Sequence, residues 1–159
     1  MRVYLNFDGV LHPNHLLYRP GYSPALACPG HTSFEYAWML AEVLGDRRDI
    51  TVILNTWWTY YLATDECIQL LPSSVARLVS GTTLQSAVAG EPLPQRLQEA
   101  EKHIAGRPDT PLLVLDNSTA RYRRELLPYL LLVDGERGLS SSAAMKAFTR
   151  RLHDGAPST

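Results

Sequence analysis

Three apolar runs in this chain lead into compact polar side chains. Val3 to Phe7 carries Asn6 and runs into Asp8-Gly9, Ile50 to Leu54 ends in Asn55-Thr56, and Pro111 to Leu115 ends in Asp116-Asn117. In open α/β sheets, ligands bind beyond the carboxyl ends of the strands. If the three runs are neighbouring parallel strands, their polar groups converge on one small site. One polar group after a strand is ordinarily a turn signal. Three, each directly after an apolar run, are harder to read that way. The first is the most specific, because Asp8-Gly9 is followed by another apolar pair, Val10-Leu11, rather than by a helix.

The elements that must position these groups alternate between strand-like runs and helical patterns, as in a parallel α/β sheet with helices on both faces. From Gly9 to about Thr32 the chain is rich in Pro, Gly, His and Tyr, so it reads as a long excursion over the strand ends. Ser33 is expected to cap a helix that runs to Leu44 and closes at Gly45. Trp57 to Leu71 reads as helical in two pieces, stopped by Pro72, with Ser73 or Ser74 opening a short helix. Pro92 and Pro94 precede a helix from Gln95 to Ala105. Leu130 to Val133 is a further strand, and a last helix runs from about Ser140–Ser142 to Leu152. Residues 1–155 read as one domain, with about 9–44 as a loop-plus-helix insert and 156–159 as a frayed tail.

At 159 residues with 45% hydrophobic and 19% charged side chains, the chain can bury a real core, which excludes a disordered polypeptide. Fifteen Lys+Arg against sixteen Asp+Glu leave a net charge of −1, so the global charge of a nucleic-acid binder is absent, though a local basic patch is not excluded. Cys28 and Cys67 stand far apart and outside any CxxC pattern, and read as reduced thiols. No apolar run is long enough to span a bilayer, and the start lacks a signal-peptide core. A cytoplasmic protein without membrane partners is the expectation.

The motifs resemble those of the haloacid dehalogenase (HAD) superfamily. Val3-Tyr4-Leu5-Asn6-Phe7-Asp8-Gly9-Val10-Leu11-His12-Pro13 looks like its first motif, and is most similar to a subgroup of small bacterial members with His-Pro after it. Ile53 to Trp58 resembles the second motif, and Ala76 to Thr82 the segment after it. Arg96 falls where the basic third motif is expected, with Lys102 on the same helix as the alternative. Leu113-Val114-Leu115-Asp116-Asn117 resembles the acidic fourth motif, and Gly138-Leu139-Ser140 the lead into the last helix. The resemblance implies a three-layer Rossmann-like fold, with the first motif's strand at the centre and a minimal cap. The insert is too small for a separate cap domain, so an open, capless site for a large phosphorylated substrate is expected. A neighbouring copy in a homodimer is one way to cover it.

It further implies a Mg²⁺-dependent phosphatase-type hydrolase working through an aspartyl-phosphate. The nucleophile position is here Asn6, and a neutral amide cannot attack phosphorus as a carboxylate does. Asp8 keeps the general acid/base position and lends its backbone carbonyl to the metal. Asn55, Thr56 and Arg96 take the phosphate-binding positions, and Asn6, Asp8, Asp116 and Asn117 the metal positions. Magnesium prefers hard oxygen ligands, usually with one or two carboxylates, and only Asp116 supplies a side-chain charge here. Weak metal binding and no turnover are therefore expected. An engineered trap and a natural degenerate member would both read this way; Asn55 and Asn117 at neighbouring positions lean towards the natural one.

Rival readings use the same pocket: a non-catalytic phosphate or metal binder, or a nucleic-acid-end processing partner, since similar modules accompany RNA repair enzymes. His12 and His15 read as cover-loop residues rather than a zinc pair, because no Cys or carboxylate stands at suitable spacing. Tyr18, Arg19, Tyr22 and His31 lie where they could touch substrate. Arg121, Arg123 and Arg124 read as a solvated helix face, and Trp57, Trp58, Tyr60 and Tyr61 chiefly as packing.

Overall fold

The computed structural model describes residues 1–84, 95–107 and 109–155. Pro92, Pro94 and the tail 156–159 lie outside the described residues. In chain order the elements are β1 (Arg2–Leu5), β2 (Leu16–Leu17), β3 (Ala25–Leu26), α1 (Ala37–Leu44), β4 (Thr51–Leu54), α2 (Trp58–Tyr61), α3 (Thr64–Gln69), α4 (Ser73–Ala76) and β5 (Val79–Thr82). There follow α5 (Arg96–Ala105), β6 (Leu112–Asn117), β7 (Leu130–Val133) and α6 (Ser142–Asp154), with 3-10 turns at Arg124–Tyr129 and Gly138–Ser140.

Five strands form one parallel sheet in the order β5-β4-β1-β6-β7, with β1 at its centre. Side chains alternate between the two faces of a strand. Val3, Leu5, Val52, Leu54, Leu113 and Leu115 therefore meet Leu40 and Leu44 of α1 and Phe148 and Leu152 of α6 in one cluster. Tyr4, Ile53 and Val114 face the other way, against Ile104 of α5. With both faces covered, the central strands are apolar throughout rather than alternating, as buried parallel strands are. The result is a three-layer Rossmann-like α/β fold. Among the described residues no helix is long and apolar enough to cross a membrane.

Register places the site. Leu5 pairs with Leu54 on one side and Leu115 on the other, so the next residues, Asn6, Asn55 and Asp116, stand at one level, with Asp116 still paired to Leu132 of β7. The Asn6 N–H donates to Leu115 O at 3.1 Å, and the Asn55 N–H to Leu5 O at 2.8 Å, holding the three ends together.

Two local expectations change. The helix expected from Ser33 starts only at Ala37, because Phe34 has a φ of 62° that no right-handed helix accepts. Its N–H points instead at His12 Nδ1, 3.1 Å away. Val79–Thr82, not read as a strand, becomes the edge strand β5 by pairing with β4. The insert carries the small β2–β3 hairpin in addition to its loop and helix. Elsewhere the boundaries agree with the pattern: α6 is capped by Ser141, whose side chain accepts the Ala144 N–H, and closes at the left-handed Gly155.

Candidate active site at the strand ends

The three polar groups do converge. Asn6 is 2% exposed, and its Nδ2 donates to Asp8 O at 3.0 Å and to Asp116 Oδ1 at 2.8 Å. One amide nitrogen thus touches a backbone carbonyl from the β1 loop and a carboxylate from β6. Its own oxygen, Oδ1, is buried without any hydrogen-bond partner among the described residues. A buried acceptor left unsatisfied is costly.

Asp116 is fully buried and surrounded by donors. Arg96 Nη1 donates to Oδ2 at 2.7 Å and Nη2 to Oδ1 at 3.4 Å, Tyr122 donates to Oδ2 at 2.7 Å, and the Asn117 N–H to Oδ1 at 2.8 Å. Burial is the strongest single influence and opposes the charge on Arg96, but Asp116, Tyr122 and Asp8 together outweigh it and leave the guanidinium pKa above its ordinary value. Arg96 opens α5 and also donates to Asn55 O at 3.0 Å. Donors on Nε and Nη2 remain for a phosphate oxygen. Lys102 lies away from this cluster, exposed and paired with Glu99.

Asp8 sits in an aromatic cage. His12 Nε2 and Trp58 Nε1 donate to Oδ1 at 3.0 and 2.8 Å, and the Tyr18 hydroxyl donates to Oδ2. Because His12 Nδ1 accepts the Phe34 N–H, the ring hydrogen stands on Nε2, facing Asp8. Phe34 stacks edge-on against Phe7, His12 and Trp58, which fixes the cage. Burial, and then the Asp8 carboxylate, push the Tyr18 pKa far up, so its hydroxyl stays a donor.

The Asp8-Gly9 turn is held from below by Asn117, whose Nδ2 donates to Asp8 O at 2.9 Å while its Oδ1 accepts the Thr119 N–H. Gly9 has φ 71°, and a Cβ there would lie 2.7 Å from Asn117 Cβ, so only glycine allows this approach. Asn55 is spent on neighbours: Nδ2 reaches Tyr122 at 2.8 Å and Oδ1 accepts from Thr83 at 3.1 Å. Thr56 is fully buried and accepts the Trp58 N–H at 3.3 Å, with no acceptor for its own hydroxyl hydrogen among the described residues.

Could these residues hold a cation? Among the described residues, no three His, Cys, Asp or Glu side chains cluster suitably. Yet Asp8 O and Asp116 Oδ1 both lie within 3.0 Å of one atom, Asn6 Nδ2. A half-turn of the Asn6 amide would bring Oδ1 there instead and give three convergent oxygens. Such a set repels itself unless a cation stands between, and that cation would satisfy the orphaned Oδ1. The residues therefore fit a hard divalent ion such as Mg²⁺, with a single side-chain carboxylate, the lower end of the one or two that such sites use.

Residues 2–144 match the model of a family described as the HAD domain in Swiss Army Knife RNA repair proteins. The chain belongs to this family. No curated protein and no solved structure matched it. HAD membership agrees with the fold and with the order of the polar groups along the chain. Within this HAD domain, two neighbours of the site go beyond what the sequence pattern marks. Trp58 packs as expected, but its indole N–H also serves Asp8. Tyr122, which bonds Asp116 and Asn55, follows the fourth motif without any pattern that marks it. His15, Arg19, Tyr22 and His31 stay off the cluster: His15 and His31 pair with Glu136 and Glu35, and the other two line a separate hollow. Arg123 pairs with Glu101.

Proposed function

We propose that this chain is a phosphatase-type HAD site that engages a phosphorylated nucleic-acid end and, with Asn6 in the nucleophile position, holds that end without hydrolysing it. The observation that carries the reading is the Asn6 amide, bridging Asp8 O and Asp116 Oδ1 within a complete set of supporting groups. The family description, with its RNA repair context, favours a nucleic-acid end as substrate. Thr56 offers a free hydroxyl hydrogen and Arg96 a buried positive charge for the phosphate. Asn6 Oδ1, Asp8 O and Asp116 would hold Mg²⁺, which would neutralise phosphate charge when bound; Asn117 steadies the Asp8 carbonyl. Residues 1–155 act as one cytoplasmic domain, and a homodimer is one way to cover the site.

With a carboxylate in place of Asn6, one of its oxygens attacks phosphorus and the bond to the leaving oxygen breaks as Asp8 gives that oxygen a proton. Water then attacks the acyl-phosphate, Asp8 takes the water's proton, and phosphate and the free carboxylate return. Trp58 and His12, both on Oδ1, hold Asp8 in place for both transfers. In the chain as it stands, the first bond cannot form.

The test compares this chain, Asn6→Asp, and Asn6→Asp with Asp8→Asn on p-nitrophenyl phosphate and on oligoribonucleotides phosphorylated at either end. This chain should stay at background with excess Mg²⁺, and Asn6→Asp should turn over. Adding Asp8→Asn should remove about 10²–10⁴-fold of that rate. An Asn6→Asp protein that folds, binds Mg²⁺ and fails on every phosphoester would leave a binding module instead.

A further inference from the structure

The sheet face under α5 is only partly closed. Over β4 and β5 lies a cavity of about 530 Å³, in the size range of small-molecule sites. It is not part of the strand-end cluster. Its walls run from Arg2 and Thr51 at the opposite strand ends along β5 through Ser80 to Thr82, with His103 in the last turn of α5 and Arg107 just beyond that helix. Ile53 and Gly81 face each other in register across β4 and β5, so a side chain at position 81 would project beside Ile53 into the cavity. A Cβ added at Gly81 meets no heavy atom within 4 Å. The missing side chain is what leaves the space.

Among the described residues, no acidic side chain lines this cavity. Arg2 is only 8% exposed, yet among the described residues its guanidinium meets neutral acceptors: Tyr4 Oη at 3.2 Å and Arg107 O at 2.8 Å. Arg107 donates to His103 O at 3.2 Å, and His103 Nδ1 lies 2.9 Å from Tyr4 Oη. The arginine ion pairs of the described residues engage Arg47, Arg96 and Arg123, not Arg2 or Arg107. A buried cation is ordinarily paired. The carbonyl at the end of α5 compensates Arg2 in part through the helix dipole. It does not account for a second guanidinium and an imidazole gathered around an open space that no acidic side chain of the described residues lines.

We propose that this cavity binds a phosphate group, free or carried on a molecule of nucleotide size, at a site separate from the strand ends. Arg2 and Arg107 supply the charge, His103 and the hydroxyls of Thr51 and Ser80 supply directed hydrogen bonds, and Gly81 supplies the room.

The test titrates inorganic phosphate, and separately adenosine 5′-monophosphate, into protein labelled with ¹⁵N at histidine, with His103→Gln identifying the His103 ring signals. His103 should shift saturably in the parent protein. Arg107→Ala should weaken the effect at least about tenfold, as loss of a charge-assisted contact does. Gly81→Leu should abolish it by filling the space. The His12 signals, which report the strand ends, should be the same in both variants as in the parent. Saturation by inorganic phosphate alone identifies a free anion, and clearly tighter binding of the nucleotide identifies an esterified one. His103 signals unmoved by either ligand at millimolar concentration would overturn the proposal, as would equal affinity in the parent and Arg107→Ala. Should Gly81→Leu not fold, Arg107→Glu, exposed and outside the sheet, takes its place with the same expected loss.

Discussion

Asn6 Nδ2 stands 2.8 Å from Asp116 Oδ1, so an amide hydrogen bond joins the two positions that would otherwise carry adjacent carboxylates. The contact neutralises nothing formally, but it removes a repulsion. It also lets Asp116 pair with Arg96 in a fully buried setting. The stability of the strand ends and their lack of a nucleophile therefore have one cause.

Asn6→Asp should accordingly be less stable in metal-free buffer. It loses two buried hydrogen bonds, about 2 kcal/mol together, and gains a third negative charge near Asp8 and Asp116. For a domain of this size the melting temperature should fall by about 4–8 °C. Mg²⁺ should raise it again in Asn6→Asp much more than in the parent chain, because only the variant offers two carboxylates. Calorimetric scans with and without Mg²⁺ check this, and equal responses would remove Asn6 from the cation site.

Arg96→Met should be strongly destabilising rather than neutral to the fold. It strands the buried Asp116 charge, a loss of about 3–5 kcal/mol for broken buried pairs. Adding Asp116→Asn should recover much of that loss, since the charge left unpaired is then gone. Urea unfolding of the two single variants and the double variant measures the coupling. Strictly additive losses would show that the pair is not energetically joined.

Tyr18 covers the outer oxygen of Asp8, where a leaving-group oxygen must arrive. Substrate therefore has to displace its hydroxyl. In the Asn6→Asp background, Tyr18→Phe should lower KM for p-nitrophenyl phosphate by about fivefold, the equivalent of one net hydrogen bond. It should also cost the free protein about 1 kcal/mol. An unchanged KM would mean that the hydroxyl leaves Asp8 at no cost to binding.

His103 gives the α5 face a pH dependence. Burial first, then the nearby Arg107 and Arg2, lower its pKa below the ordinary 6.5. The unfolded chain then binds the proton more readily than the folded one, so stability rises with pH between the two values. Its contribution is complete above about pH 6.5 and is lost as pH falls through the lowered folded value. His103→Gln should flatten that part of the stability profile in urea titrations at pH 5 to 8. An identical slope in the variant would assign the titration elsewhere.

The sequence by itself determined four of the five sheet strands, the polar ends of three of them and the family. An apolar run of β-branched and aliphatic residues is a local signal, and Asn6, Asp8, Asp116 and Arg96 stand at motif spacings that need no coordinates. Asp8-Gly9 followed by Val10-Leu11 already marked the tightest turn. What the sequence could not determine is which donors meet which acceptors, because those depend on register and on chain segments far apart. Tyr18, ten residues from Asp8, and Trp58, fifty residues away, reach the same carboxylate only when β1 and β4 lie side by side and the excursion folds back. Tyr122 joins Asp116 to Asn55 through a loop without any periodic pattern. Phe34 breaks the expected helix because the backbone there serves His12, a tertiary demand that overrides local propensity. The cavity beside α5 is the same kind of decision. Arg2, Gly81 and Arg107 are unremarkable one at a time, and only the packing of α5 over the central strands gathers two guanidinium groups around an open space.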